Sequence, residues 1–348
     1  MHEPVVIAEY DVRWPERYAA EADAIREALG DEAVAVEHVG SSAVEGLAAK
    51  PIVDVLVGLH GDAPGKRAVE RIEALGYEAR GEAGIPGRSY FRKGRPRRFH
   101  MHMVRWGSTF WREQLLFRDY LRAHGERRDA YAALKRHLAD RHRADRAAYT
   151  EAKAGFVAET LALARQWVRM TAAAGGATAL VRAATPFGDA SGLWGPHGLV
   201  LVTTGSPDEA EFWERIGAHA DAPATVPVDA ARQAAFAYDL SGLFYGEQPL
   251  IPLDLAGMTP FQRRVIAAAQ AVQFGHTASY ADVALAAGHP RAHRAAGSAL
   301  AQQPFAFYVP AQRVVRRDGL PSECRFERSG LRRRMLEWEQ AIARRSAG

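Results

Sequence analysis

Val309-Pro310-Ala311-Gln312-Arg313-Val314-Val315 is the stretch around which the C-terminal half of this 348-residue chain is organised. Working outward, Thr259-Pro260-Phe261-Gln262 opens a helix and Ala278-Ser279-Tyr280-Ala281-Asp282 opens a second. Gly288-His289-Pro290 then turns into a third helix, which carries Arg294 among Ala292, Ala295, Ala296, Gly297 and Ala299. The small residues give that helix a thin face, along which its backbone can approach a partner closely.

In this order and spacing the segment resembles the DNA-binding domain of the O6-alkylguanine-DNA alkyltransferase family. Members of that family have a TPFQ helix, an SYG-type helix, a G-x-P turn, an RAVG-type recognition helix and a Pro-Cys-His-Arg-Val active-site loop. The resemblance implies a winged helix-turn-helix-like domain that binds double-stranded DNA through the minor groove and flips the target nucleotide. It implies that Tyr280 presses on the target phosphate, that Arg294 fills the stack, and that Gln303 and Arg313 belong to the DNA-binding set. Glu339 matches the acid that orients the family's active-site histidine.

The loop departs from the family at its reactive pair, reading Pro-Ala-Gln-Arg-Val. Alkyl transfer needs a thiolate activated by a neighbouring base. Ala311 offers no nucleophile, and the Gln312 amide does not titrate in the working range. The resemblance therefore points to the alkyltransferase-like branch, which binds alkylated guanine and recruits other repair proteins. The single cysteine, Cys324, lies beyond the loop and reads as a partly buried thiol.

Length and composition suit two or three globular domains, and 48% hydrophobic with 25% charged residues excludes collagenous and disordered classes. No apolar run approaches the roughly 20 residues of a membrane span. The absence of a signal peptide pattern and the lone cysteine make a cytoplasmic location the expectation. The net charge of +4 says little about partners, because arginine is abundant throughout and no lysine follows Lys153.

Residues 1–168 read as one α/β unit. Val5 to Tyr10 is strand-like, Trp14-Pro15 starts a helix that Gly30 ends, and Ala33 to Val39 alternates as a strand before Gly40-Ser41-Ser42. A strand over Pro51 to Val57 follows Lys50. Ala68 to Leu75 is helical, Tyr90-Phe91-Arg92 and His100 to Val104 are strands, and Thr109 to Trp167 is helical with breaks at Gly125 and Arg141 to Arg146.

Seven ordered blocks here resemble the GrpB family: DVRWPER from Asp11, HVGSS from His38, GLAAKPIVD from Gly46, GIPGRSYF from Gly84, HMHMV from His100, FRDYLR from Phe117 and YTEAK from Tyr149. The resemblance implies a nucleotidyltransferase-like fold, in which a Gly-Ser turn faces acidic residues on the next strand. Two-metal nucleotidyl transfer needs two or three converging carboxylates. Only Asp54 sits on the expected strand, flanked at period two by Ile52 and Leu56.

Three readings stay open. Asp54, His100 and His102 form a mixed site for a divalent metal; or the histidines hydrogen-bond structurally; or the cleft binds a nucleotide without reacting, through Gly40, Ser41, Ser42 and Lys50. Should the unit be an enzyme, Asp54 and Lys50 are its catalytic candidates.

The remaining boundaries follow composition. Residues 169–177, rich in small residues with paired glycines, read as a linker. Residues 178–256 resemble the small ribonuclease-H-like α/β lobe of alkyltransferases, with a helix over Pro207 to Ile216 and another capped by Asp229, and residues 257–348 are the DNA-binding domain. The leading expectation is non-catalytic recognition of alkylated bases; the alternative is a nucleotidyltransferase-type enzyme localised by its C-terminal half.

Overall fold

Helix α1 (Trp14–Leu29) starts where Pro15 fits the first turn, and it ends at Gly30, whose φ of 53° suits glycine. Its apolar stripe of Trp14, Ala22, Ile25 and Leu29 is almost wholly buried. The structure, a computed structural model, describes residues 5–204, 228–322 and 330–346. The expected helix at Pro207 to Ile216 and Cys324 lie outside these residues. The chain divides into two units, Met1–Val168 and Arg169–Gly348.

The first unit is built on a five-stranded mixed sheet in the order β1-β2-β5-β4-β3. Its strands are β1 (Ala33–Val39), β2 (Val53–Leu59), β3 (Tyr77–Ala79), β4 (Ser89–Lys93) and β5 (Phe99–Arg105). Val53, Val55 and Val57 alternate with Asp54 and Leu56, so β2 sends its valines into a core shared with Met101, Met103, α1 and helix α2 (Lys66–Ala74). Burying each large apolar side chain there contributes about 1.5–3 kcal/mol. Asp54 and Leu56 face the opposite side, where α3 (Thr109–Ala123), α4 (Gly125–Arg141), α5 (Arg146–Glu151) and α6 (Ala154–Ala173) follow in sequence. On that side Gly58 lets Trp106 and Trp111 close on the strand, since a Cβ would lie 2.9 Å from the Trp111 ring.

Two expectations change here. Val5 to Tyr10 forms no strand, only a bridge from Ala8 to Ala49, because the Val5 N–H goes to the Arg143 carbonyl and not to a strand. The second is local: α6 runs to Ala173, so the first part of the stretch 169–177 is helical, the Thr171-Ala172-Ala173 run sustaining the helix.

The second unit opens with an antiparallel sheet of β6 (Ala179–Thr185), β7 (Gly188–Gly195) and β8 (Gly198–Thr204). Thr185 to Gly188 is the tight turn joining β6 to β7, with the Thr185 hydroxyl donating to the Gly188 carbonyl. Helix α7 (Ala230–Leu243) packs on β6 and is capped by the Asp229 carboxylate, as the sequence predicts. Helices α8 (Pro260–Gln270), α9 (Tyr280–Ala286) and α10 (His293–Gln302) contact one another. Capping boxes start α8 (Thr259 with Gln262) and α9 (Ser279 with Asp282). Strand β9 (Ala278–Ser279) pairs in parallel with β10 (Val314–Val315), and helix α11 (Leu331–Ser346) closes the unit. Among the described residues no helix is long and apolar enough to cross a membrane.

Candidate functional site

In the first unit, parallel pairing sets Asp54 opposite His100 and Leu56 opposite His102. Asp54 Oδ1 lies 3.1 Å from His100 Nδ1 and 3.7 Å from His102 Nε2. Burial alone would raise the Asp54 carboxyl, but the two imidazoles outweigh it and hold the group well below the usual carboxylate range. Arg88 Nη1 donates to His102 Nδ1 at 3.3 Å, which makes that nitrogen the acceptor and leaves the ring proton on Nε2, facing Asp54. Burial pushes the His102 pKa down, so the ring is neutral near pH 7.

The Gly-Ser turn presses on this group from β1. A Cβ at Gly40 would sit 2.6 Å from Asp54 Oδ2, and the residue has φ of 70°, so both the approach and the turn require glycine. Ser42 Oγ is taken by buried His38 at 3.0 Å, and burial lowers the His38 pKa to about 4. The amides of Ala43 and Val44 are taken by the carbonyls of Gly40 and Ser41.

Asp54, His100 and His102 are thus brought together, as the shared strand face predicts. Yet among the described residues no group of three or more His, Cys, Asp or Glu is arranged to hold a metal ion. The geometry corrects the coordination reading: one carboxylate oxygen faces both rings, and the other abuts Gly40, so the three form a hydrogen-bonded cluster.

That cluster forms one wall of a cavity of about 370 Å³, which Ser41, Ser42 and Lys50 also line. Three further cations line it as well: Arg88, Lys135 and Lys153. Lys135, only 2% exposed, donates to the Ala48 carbonyl and lies 4.6 Å from the Tyr131 ring centre. Burial, then the charges of Lys153 and Arg136, lower its pKa to about 7. Lys50 and Lys153 each set their ammonium over the Tyr149 ring, at 4.3 and 4.6 Å.

In the second unit, residues 304–310 are fastened to β8. Val202 N–H donates to the Pro304 carbonyl at 2.7 Å, and Ala306 N–H donates back to Val202 at 2.9 Å. Ala311 follows in a short 3-10 turn, 1% exposed. Gln312 Nε2 donates to Glu339 Oε1 at 2.5 Å, and Arg313 Nε donates to Glu339 Oε2 at 2.8 Å. Arg313 Nη1 also donates to the Val272 carbonyl. The carboxylate on α11 is answered on both oxygens, and the loop is locked.

This geometry corrects two expected DNA contacts. Arg313 turns inward to a buried ion pair, and Gln303 is buried with its Oε1 accepting from Phe305 N–H at 2.7 Å. Both hold the loop from behind. Tyr280 and Arg294 behave differently: Arg294 is exposed on α10, and the Tyr280 ring lies over Gly297, where an added Cβ would be 3.6 Å away. The thin face is also narrower than the sequence suggests, because Ala296 and Ala299 point into the core and Ala295 and Ser298 are the small residues left outside.

A family model described as GrpB protein matches residues 4–163. The glutamate-rich protein GrpB of Alkalihalophilus pseudofirmus is 30% identical over 164 residues, which make up 45% of this chain and 94% of that protein. The chain belongs to the GrpB family. Protein YqkA of Bacillus subtilis is 36% identical over 164 residues, 47% of this chain and 48% of its own length, so the chain spans about half of that relative.

The GrpB match ends within the first unit. In the second, a model described as 6-O-methylguanine DNA methyltransferase, DNA binding domain, matches residues 260–341. The bifunctional transcriptional activator/DNA repair enzyme Ada of Escherichia coli is 33% identical over 148 residues, 41% of each chain. The protein is a fusion of a GrpB domain with a DNA-binding domain of the alkyltransferase type.

Sequence reasoning missed Arg88, Lys135 and Lys153 as residues of the GrpB cavity. Arg88 and Lys153 stand inside two of the GrpB-like blocks, GIPGRSYF and YTEAK, so the signal was present. Lys135 had a weaker one: it shares a helical face with Tyr131 and Leu138, an apolar stripe where an unpaired lysine would be costly.

Proposed function

We propose that the C-terminal unit recognises O6-alkylguanine-type lesions in duplex DNA without accepting the alkyl group. The observation that carries this reading is the loop at Ala311: a methyl group occupies the acceptor position, while Gln312 keeps the hydrogen bond to Glu339 and so keeps the loop's shape. The chemistry is lost and the scaffold is retained. Exposed Arg294 beside Tyr280 supports a role in flipping, since an inserted side chain offsets an unstacking cost of a few kcal/mol, incurred only when a nucleotide leaves the stack. Recruitment of a repair protein to the bound lesion follows from the same family likeness.

A nucleotidyl-transfer reading of the GrpB domain has less support. Asp54 is the only carboxylate that lines its cavity among the described residues, and it faces two histidines.

The test compares fluorescence anisotropy on matched duplexes with and without O6-methylguanine, at two salt concentrations. Arg294→Ala should weaken binding to the damaged duplex by about 1–3 kcal/mol and to the undamaged one far less, and Tyr280→Ala should act in the same direction. An equal loss on both duplexes reduces Arg294 to a phosphate contact and contradicts lesion recognition.

A further inference from the structure

Lys135 differs from the two lysines outside the GrpB cavity in what surrounds its nitrogen. Lys66 is 92% exposed at its side chain, and Lys93 pairs with Glu21 at 2.6 Å. Lys135 is buried and lines the cavity of about 370 Å³. Its Nζ donates to the Ala48 carbonyl and stands 4.6 Å from the centre of the Tyr131 ring, and among the described residues no carboxylate pairs with it.

An ammonium carries three N–H donors and no lone pair, so in a buried place it calls for three acceptors or a facing negative charge. Here it finds one carbonyl and one ring face. A neutral amine, or a nitrogen with a single N–H, suits those surroundings better. Burial acts first, then the charges of Lys153 and Arg136, and together they leave the amine about half neutral near pH 7. Tyr131 and Arg136 belong to its own helix, Tyr149 and Lys153 come from α5 and the residues after it, and Lys50 lies two residues beyond Ala48. Asp54, on the sheet side of the cavity, is engaged by His100 and His102. A desolvated lysine amine with cationic neighbours, bordering a cavity, is the arrangement that makes lysine a nucleophile at neutral pH.

We propose that the GrpB domain takes a small aldehyde or ketone into this cavity and holds it on Lys135 as an imine. The lone pair of the neutral amine forms the C–N bond to the carbonyl carbon while the C=O π pair moves to oxygen. A proton passes from nitrogen to that oxygen; with one further proton from solvent the oxygen leaves as water. The protonated imine keeps a single N–H, for which the Ala48 carbonyl is the acceptor, and its positive charge lies beside the Tyr131 ring. An acyl donor would leave a stable amide and end the cycle after one event, whereas hydrolysis returns an imine to the free amine. This assignment is independent of how the C-terminal unit treats DNA.

The test incubates the full chain briefly with pyridoxal as the carbonyl probe, quenches with sodium borohydride to fix any imine as a stable secondary amine, and maps the adduct by mass spectrometry of peptides. At pH 7 the labelled fraction of Lys135 should exceed that of exposed Lys66 at least tenfold. From pH 6 to pH 9 labelling of Lys135 should rise and level off, whereas that of Lys66 goes on rising toward the ordinary amine pKa near 10.4. Lys135→Arg keeps the charge but cannot form the imine, and should lose that adduct with circular dichroism unchanged; the mapping of the natural chain decides the matter even where this variant does not fold. Absence of label on Lys135, label on Lys50 or Lys153 in its place, equal labelling of Lys135 and Lys66 at pH 7, or parallel pH profiles for the two would each overturn the proposal.

Discussion

Each unit holds a buried polar cluster around one carboxylate, and the two clusters are resolved in opposite ways. In the C-terminal unit, Glu339 is met on both oxygens by Gln312 and Arg313, and nothing is left over. In the GrpB domain, Asp54 faces two histidines on the wall of a cavity that Lys50, Arg88, Lys135 and Lys153 also line. A closed cluster holds a loop in shape. An open one leaves room beside its polar groups. The contrast separates a polar cluster packed into a loop from one that lines a cavity.

The largest effect should come from opening the closed cluster. Arg313→Ala leaves the Glu339 carboxylate, 4% exposed, with only the Gln312 amide and the Gly275 N–H and no positive charge, and breaking such a buried pair costs about 3–5 kcal/mol. Urea denaturation of the C-terminal transition would report it. A loss below about 1 kcal/mol would mean that Arg313 is dispensable to the loop and would return it to the list of DNA contacts.

Lys135 should show the reverse. Its folded pKa of about 7 lies below the unfolded value near 10.4, so between these limits the unfolded chain holds more protons and stability rises with pH. The cost of burying the charge is full below pH 7. Lys135→Met removes that cost, and its stability advantage over the natural chain should shrink by about 2 kcal/mol between pH 7 and pH 9. The groups acting on Lys135 are Lys153, Arg136, Tyr131 and the Ala48 carbonyl. Parallel pH profiles for the two proteins would show that Lys135 is not strained by its position.

Much of this was legible in the sequence where local order carries the information. The TPFQ, SYA and GHP motifs mark the starts of α8 and α9 and the turn before α10, because capping and turn chemistry are local. His100 and His102 share a strand face by parity alone. What the sequence did not disclose depends on packing between distant segments. Whether Arg313 and Gln303 point to a groove or to the core is decided by Glu339 on α11 and by Phe305, and the side from which Lys135 approaches Lys50 is decided by how α4 lies against residues 44–50. Polar residues in a binding loop read as contacts from sequence; here two of them are struts.

The smallest stability effects belong to the rim of the open cavity. Lys50→Gln and Lys153→Gln should each lower unfolding free energy by about 0.5–1 kcal/mol, the worth of one ammonium over the Tyr149 ring. Chemical denaturation measures this. A loss above about 2 kcal/mol in either variant would make these lysines structural and close the contrast between the two clusters.

Restoring the missing chemistry sharpens the other side. Ala311→Cys alone places a thiol near its ordinary pKa of about 8.5 with no base beside it, and should transfer little. With Gln312→His added, Glu339 stands ready to orient the imidazole, and transfer should exceed that of either single variant. Equal activity in the single and double variants would show that the retained scaffold does not preserve the reactive geometry.

Lesion recognition without transfer is tested with duplex DNA carrying O6-methylguanine labelled in its methyl group, incubated with the natural chain in excess. Protein and DNA are then separated under denaturing conditions, and the label is counted on each. Binding should be tighter than to the unmodified duplex, with all of the label left on the DNA. Stoichiometric label on the protein, or identical affinity for the two duplexes, would contradict it.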